Sequence, residues 1–455
     1  MIYSKEICTK ESFDVVVCGG GFSGFAAAYA AAREGSRVII VEKNTCLGGV
    51  GTQGLVNHIL GVRSLKDGEL KTCVGGIFEK IENCLVKNGG GVDVNTVDFK
   101  LNPHGWLGGL ATGLIFDNEK MKLLLEDMLE SQGVKILYMT DIIDVVKEGN
   151  CLKGIVVHNK SGLYVIEGKY FVDATGDADI CRFSGCGIDK GDENGGMAAA
   201  SLEMHVENVD YEELTQYMVD TKDVRFKALI NKLIETGEWT FPYEIFISVM
   251  LTKKDVFMIN TIRQVDIDGT DADSLSAGVV NGRKENFKLL EIMKKHFPGF
   301  ENAVIRQVAP VIGIRETNRI EGEYTLSVED LVTGRDFEDG IALSAYGWDL
   351  PNPKKPSHQP FAEVARKSSY TQIPYRCLLP KGIDNLITAG RCISVEREVL
   401  GPVRVMGPCL AMGEAAGIAS ALAIKNETDY KNIDIDNLRR RIVENGGFVD
   451  RKQVR

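Results

Sequence analysis

Two periodicities divide the chain: short unbroken apolar runs of strand length, and longer stretches whose apolar residues recur every three or four positions. Residues 13–18 (FDVVVC) form the first run, and Gly19-Gly20-Gly21-Phe22-Ser23-Gly24 breaks it at once. The alanine-rich AAAYAAAREG (26–35) predicts a helix, and residues 37–41 predict a second strand closing on Glu42. Residues 119–132 have helical spacing and stop at Gly133. Strand candidates follow at 134–139, 142–146, 154–159 and in GLYVIEG (162–168), and the segment closes on YFVDATGDAD (170–179). A meander leading into a strand that ends on Ala-Thr-Gly-Asp predicts a three-stranded flap and a return to a parallel sheet.

From about residue 196 to 371 the texture changes. Strand-like SLEMHV, FMINTIRQV and IALSAY mix with the helical YEELTQYM and a long helix stopped by Pro298. DLPNPKKPSHQP, with four prolines in twelve residues, reads as a long surface loop, a hinge or a lid. NLITAG (385–390) resumes an apolar strand, and residues 401–425 predict a long small-residue helix. No internal repeat interrupts this order.

The first strand, turn and helix carry the chemistry. Gly19 permits the tight turn, Gly21 lets backbone N–H groups approach a pyrophosphate, and Gly24 lets helix and strand pack closely. The helix beginning there turns its partial positive end toward the phosphates. Glu42 lies 18 residues beyond Gly24, where a carboxylate can accept both hydroxyls of an adenosine ribose. A glycine turn that binds nothing leaves that acid unexplained.

Composition narrows the remaining classes. A chain of 455 residues with 44% hydrophobic and 26% charged residues can build two or three domains, or one large discontinuous one. The net charge of −11 argues against a nucleic-acid partner, and the short basic RKQVR does not reverse it. MIYSKEICTKES lacks the apolar segment of a signal peptide, and no uncharged run reaches the ~18 apolar residues of a membrane span. Eleven cysteines without pairing pattern suggest free thiols in a reducing compartment, so a cytoplasmic location is expected. With no Cys-x-x-Cys, neither an iron–sulfur cluster nor a metal site is expected.

Five blocks stand in a specific order: VVVCGGGFSGFAAAYAAAREGSRVIIVEK, LGGVGTQGLV, YFVDATGDAD, APVIGIRETNRIEGEY, and IPYRCLLP…NLITAGRCIS…GPVRVMGPCLAMGEAAG. Together they resemble the glutathione-reductase-like flavoproteins. More narrowly they resemble the FAD-dependent oxidoreductase family, distantly related to fumarate reductase flavoprotein subunits. The resemblance implies an α/β architecture: a Rossmann-like FAD-binding domain with a central parallel sheet and three-stranded flap, made of residues 1–195 and 372–455. An α+β cap, 196–371, is inserted between the two parts.

The resemblance also places residues around FAD. Gly19, Gly21 and Gly24, with Phe22 and Ser23 at the helix start, would hold the pyrophosphate, and Glu42 with Lys43 the adenosine ribose. The backbone at Ile142 would face adenine, and Ala174, Thr175 and Gly176 would turn the chain beside the nucleotide. Gly48, Gly49 and Thr52 fall beneath the isoalloxazine ring. Gly390 and Arg391 stand where many relatives have Gly-Asp, so Arg391 is expected to reach a phosphate or the ribityl chain. The final helix, beginning near Pro408 and preceded by Met406 and Gly407, would aim its N-terminus at the flavin N1–C2=O edge. Disulfide reductases of related architecture carry a second cysteine where Gly51 stands, so Cys46 is expected to be a buried small residue.

Substrate is expected under the cap, lined by three segments: Arg315, Glu316 and Arg319; Arg397 and Arg404; and His58 with Tyr375 and Arg376. Arg404, Arg315 and His58 are the catalytic candidates. Each has a plainer reading, an ion-pair cluster for Arg315 and a packed imidazole for His58. His104 is a weaker candidate, and His158, His205, His296 and His358 have no distinguishing context. GGGVD (89–93) and GWLGG (105–109) lack the strand and acid of a second fingerprint, so NAD(P)H has no domain of its own and the electron partner and oligomeric state stay open. The expectation is hydride transfer between flavin N5 and a small metabolite bearing a carboxylate or hydroxyls. The alternatives are a flavin-dependent monooxygenase, or an electron-transfer or RNA-modifying flavoprotein.

Overall fold

The computed structural model describes residues 6–106 and 111–455; most of the GWLGG segment lies outside them. β1 (Thr9–Cys18) runs into the glycine turn, α1 (Phe22–Arg33) crosses back, and β2 (Val38–Val41) lies parallel to β1. α2 (Asn118–Ser131) makes the next crossover, to β3 (Lys135–Leu137), parallel to β2. β4 (Asp141–Glu148), β5 (Cys151–Asn159) and β6 (Gly162–Asp173) follow as antiparallel neighbours, and the sheet order is β3-β2-β1-β6-β5-β4. It is a mixed α/β fold with a central, mostly parallel sheet.

The expected break between GLYVIEG and YFVDATGDAD is absent, because β6 is one strand of 12 residues. Its first half pairs antiparallel with β5, while the stretch from Val165 to Asp173 follows β1 in parallel. Gly168 resembles a break in the sequence. In the sheet it allows close approach instead: a Cβ there would come within 2.6 Å of the Val16 side chain. The three-stranded flap is therefore β4, β5 and the front half of β6.

β7 (Met204–Glu207), β8 (Ser248–Met250), β9 (Phe257–Ile259) and β10 (Val304–Val308) build a second, antiparallel sheet in the order β8-β9-β7-β10. FMINTIRQV contributes only its first three residues as strand. The core of this unit is aromatic: the Phe297 ring lies 4.7 Å from both Phe226 and Phe246, centroid to centroid. α3 (Ala272–His296) flanks it.

The C-terminal third returns to the first sheet. β11 (Gly340–Ser344) pairs with β12 (Thr371–Pro374), and β13 (Leu386–Thr388) adds in parallel to the end of β6. Leu326, Leu331, Phe337, Ile341 and Leu343 share one apolar cluster with Val15 and Phe25. The nucleotide-side core thus takes up residues from 326 onward, inside the expected cap, because β11 and β12 pair across the expected boundary at 371.

The run 401–425 is not one helix. A short turn, Leu400–Val403, ends at Arg404, and α4 (Met406–Asn426) starts two residues before the expected Pro408. Nor is it the last, since α5 (Ile435–Glu444) follows. By length and composition α4 could cross a membrane, although Glu414 interrupts its uncharged run; 83% of its apolar window is buried inside the fold. Its partner is α1, with the two helices parallel. A Cβ on Gly413 would stand 2.1 Å from the Ser23 carbonyl oxygen, and one on Gly417 2.3 Å from that of Ala27. Alanines on α1 and glycines on α4 bring the backbones this close. Arg33 closes the far end on the buried Glu414, at 3.1 Å.

Gly413→Val should drive side-chain atoms into the α1 backbone and lower stability by about 1–3 kcal/mol or more. Gly347→Ala, at an exposed glycine with open space around it, should cost nothing measurable. Urea unfolding of both checks this; equal midpoints would show that the α1–α4 contact does not limit stability.

Candidate functional site

The groove at the mouth of β1 is assembled from backbone. Gly19 has φ +97°, and a Cβ on it would meet the Ala174 carbonyl oxygen at 2.5 Å. A Cβ on Gly24 would lie 1.9 Å from the Gly19 oxygen, so the helix begins against the turn. Gly21 is the N-cap of α1 with φ −63°, and no side chain caps the helix. A Cβ at Gly21 would meet nothing within 4 Å, so the space in front of these helix-end N–H groups is open.

Glu42, buried at the end of β2, accepts from Gly20 N (2.6 Å), Asn44 N (2.8 Å) and Asn44 Nδ2 (2.7 Å). Lys43, expected to share the ribose, is exposed, and Asn44 is the residue that orients the acid. Met139 N and Thr140 N donate to the carbonyls of Asn44 and Glu42, which ties the start of β4, and with it Ile142, to the ribose side of the groove. Gly48 N donates to Gly20 O at 2.8 Å, and a Cβ on Gly49 would be 3.1 Å from Gly21 Cα. Thr52 Oγ1 donates to Leu47 O, closing the turn from inside. Cys46 is buried beside it, with Gln53 Nε2 donating to its Sγ, and burial pushes its thiol up.

Ala174, Thr175 and Gly176 form the opposite wall. Thr175 is held by the buried Asp173, and Gly176 has φ +79°. Gly390 (φ +106°) passes close to Ser23, whose Oγ would be 2.7 Å from a Cβ there. Arg391 lies over Gly176 and is ion-paired with Asp177, so its charge is already matched; its buried Nε has no partner. Asp177, which Thr317 Oγ1 also reaches at 2.7 Å, was in view in the DATGDAD block but was not selected.

At the start of α4, Gly407 N–H is occupied by Leu60 O at 3.0 Å, so Met406 rather than Gly407 offers the free helix-end donor. The Met406 Sδ packs on the 49–51 turn, 2.8 Å from a Cβ position on Gly51. Gly413 sits level with Ser23 and Met406 is seven residues earlier, so α4 begins about 10 Å beyond α1 in the same direction. Two positive helix ends therefore stand in tandem, one at the glycine turn and one farther along the groove. The open space at Gly21, the oriented Glu42 and the unpartnered Arg391 Nε all fit an elongated dinucleotide such as FAD.

The GIRETNR motif divides in two. Glu316, 1% exposed, accepts from Arg397 Nε and an Arg397 terminal nitrogen (2.7 Å each), from Arg319 (3.2 Å) and from Ala198 N (2.7 Å). Glu316 thus spends both its oxygens on Arg319 and Arg397, while the buried Arg319 Nε has no partner. Arg315 turns the other way, donating to Ala199 O (2.7 Å) and Asn260 Oδ1 (3.4 Å). Burial, with Arg263 and Arg404 adding like charge, pushes its guanidinium down to about 9.

Around Arg315 gathers a second group, in which Arg404 is expected from the sequence and the other members are not. Arg263 donates to Ser201 Oγ at 2.7 Å and lies 4.5 Å from the Tyr243 ring centroid. Arg404 donates to Asp349 Oδ2 at 3.2 Å, and its Nε has no partner. Burial opposes the Asp349 charge, yet Arg404, Arg315 and Arg263 hold its carboxyl below the usual range. Burial pushes the Arg225 guanidinium down, and the like charge of Arg263 adds to this. Glu203 is 1% exposed, and both its oxygens lack a hydrogen-bond partner.

Two expected members stand elsewhere. Tyr375 is buried and donates to Tyr430 O (2.9 Å), while Arg376 pairs with Asp339 beside Tyr324. Tyr375 packs in the nucleotide-side core, and Arg376 is exposed at its edge. His58 is buried in the two-residue strand His58–Ile59, its imidazole against Gly113. His205, unmarked in the sequence, places Nε2 3.1 Å from Leu55 O, and burial pushes its imidazole down to about 4.

A model of the family described as FAD dependent oxidoreductase matches residues 14–442. Thiamine thiazole synthase of Pyrococcus abyssi is 25% identical over 190 residues, and that of Pyrococcus horikoshii 26% over 200. Each match takes in 40% of this chain and 64% of the relative, so the chain spans a little under two thirds of these curated relatives. Among solved structures, a geranylgeranyl bacteriochlorophyll reductase-like protein of Thermoplasma acidophilum is 14% identical, covering 95% of this chain and 84% of that one at a TM-score of 0.45. The flavin-dependent monooxygenase PieE, in complex with FAD and substrate, is 12% identical, covering 96% and 63% at a TM-score of 0.48.

Gly21→Val tests the groove with little risk to the fold, because its backbone suits any residue and its surroundings are open. Unfolding should shift by less than about 0.5 kcal/mol. FAD affinity should fall roughly 100-fold, the ~3 kcal/mol of losing charge-assisted pyrophosphate contacts. Flavin retained at wild-type affinity would place the pyrophosphate elsewhere.

Proposed function

Because this chain belongs to the FAD dependent oxidoreductase family, we propose that it exchanges a hydride between bound FAD and a small carboxylate-bearing metabolite seated against Arg263 and Arg315. The N–H groups at Gly21, Phe22 and Ser23, the Glu42 carboxylate, Arg391 and the α4 terminus at Met406 would hold FAD, which supplies a two-electron acceptor and donor at N5.

One observation carries the choice of substrate. Arg263 and Arg404 both press on the buried Arg315, Arg263 presses on Arg225 as well, and Asp349 is the ionised acid that faces Arg404, Arg315 and Arg263. Buried like charges left in excess are costly, and an anion entering between them relieves that cost. Arg315 suits a carboxylate contact because its protein partners are a carbonyl and an amide oxygen rather than a carboxylate. Arg404 is already committed to Asp349 and supports the site by positioning. A hydroxyl-rich neutral compound has no comparable partner for these charges.

Anaerobic bleaching of the flavin across hydroxy acids, dicarboxylates and neutral sugars tests the reading. Carboxylates should reduce the flavin and neutral sugars should not. Arg315→Gln should keep its flavin and slow that reduction about 30- to 1000-fold, or roughly 2–4 kcal/mol. Bleaching by sugars alone, or oxygen uptake that requires NADPH, would overturn the proposal.

A further inference from the structure

We infer that Glu203 is the residue that exchanges a proton with the substrate, acting as the acid when an anionic 2-oxo acid is reduced to the hydroxy acid. The inference rests on the carboxylate reading above and adds a residue and a step to it.

The argument is one of position. Ala200 and Ser201 bridge to Gln264 and Gly313, and β7 begins at Met204, so side chains along this segment fall alternately on two faces. Ala200, Leu202 and Met204 feed apolar clusters. Ser201, Glu203 and His205 share the other face. Ser201 Oγ accepts from Arg263, and His205 Nε2 meets the carbonyl of Leu55, just beyond the 48–52 turn that borders the dinucleotide groove. Glu203 lies between these two contacts, with the arginine pair on one side and the cofactor-facing turn on the other. Both its oxygens are buried and neither has a hydrogen-bond partner. A carboxyl kept dry and unpartnered is costly for the fold alone, and a ligand oxygen is the partner that completes it.

Its charge state suits the role. Burial pushes the Glu203 carboxyl up to about 8, against the pull of Arg263 and Arg315. Those two guanidiniums are the charged groups acting on it; Asp349 and Arg404 act on Arg315 behind them, and His205 is neutral. Near neutral pH Glu203 rests as the acid.

The step balances as follows. With bound FAD supplying the two electrons as a hydride, the carbonyl carbon would gain that hydride, the C=O π bond would break, and its oxygen would take the Glu203 proton as the O–H forms. The oxo acid would be reduced at the expense of the reduced flavin, and Glu203 would be left as a carboxylate facing Arg263 and Arg315 until water reprotonates it. Oxidation of the hydroxy acid is the same step reversed.

The test uses the holoenzyme and two probes, malonate as an inert dianion and pyruvate or oxaloacetate as acceptor. Malonate placed between the arginines cancels part of their pull, so the Glu203 carboxyl should rise further and take up a proton near pH 8. That uptake, read with an indicator dye in weak buffer, should vanish in Glu203→Gln, which should still bind malonate. Reoxidation of the photoreduced enzyme by the oxo acid should fall as pH rises through about 8 in the wild type. In Glu203→Gln it should be slower by about 10²–10⁴-fold and flat with pH, with the KM little changed. If malonate leaves the flavin spectrum untouched and no carboxylate binds, the carboxylate reading itself fails. If malonate binds without proton uptake, or Glu203→Gln turns over at the wild-type rate, only the Glu203 assignment is overturned. If the variant loses its flavin or unfolds, difference infrared spectra of the wild type decide: a protonated-carboxyl C=O band that does not move on malonate binding overturns the assignment.

Discussion

The parallel contact between α1 and α4 governs everything built above it. Two helices approach this closely only where backbone meets backbone, and Gly413 and Gly417 against Ser23 and Ala27 provide that. Once the pair is locked, the offset between their N-termini is fixed by residue count rather than by loops. The positive end of α1 stands at the glycine turn and that of α4 about 10 Å beyond it. A ligand with negative charge at two separated points meets a rigid ruler.

Electrostatic pairing then divides the arginines into two populations. Arg319 and Arg397 spend their charge on Glu316 within the protein, and Arg391 spends its own on Asp177. Arg263 and Arg315 face polar groups and the unpartnered Glu203 instead. In the first population the Arg397–Glu316 pair ties the GIRETNR segment to the C-terminal part of the chain; the second is left with unspent charge. Neighbours in sequence fall on opposite sides of this line, since Arg315 and Glu316 point into different environments.

The extent to which the sequence was readable follows from the range of each interaction. The strand, turn, helix and acid that end on Glu42 are local, and the parallel sheet could be read from their order. β6 was split in reading because Gly168 resembles a stop, whereas its lack of a side chain serves the neighbouring strand. Residues 326–343 looked like cap because nothing in their own pattern reveals a pairing partner at 371–374. Glu203, Arg263 and Asp349 escaped selection for a similar reason: they come from separate segments, and their meeting is a product of folding. Tyr375 and Arg376 read from the sequence as pocket-lining polar residues, yet their partners Tyr430 and Asp339 are buried parts of the surrounding fold.

The α1–α4 contact also sets a timetable. Ser23 and Gly413 are separated by 390 residues, so a nascent chain exposes the apolar, alanine-rich α1 long before its cover exists. At ~5–20 residues per second, synthesis leaves that surface open for ~20–80 s. The aromatic cap unit, whose cluster apart from Trp106 is drawn from residues 204–303, can condense while this wait continues. Emergence of this protein from the ribosome is therefore inside-out with respect to its sequence: the middle settles first, and the beginning is completed only by the end.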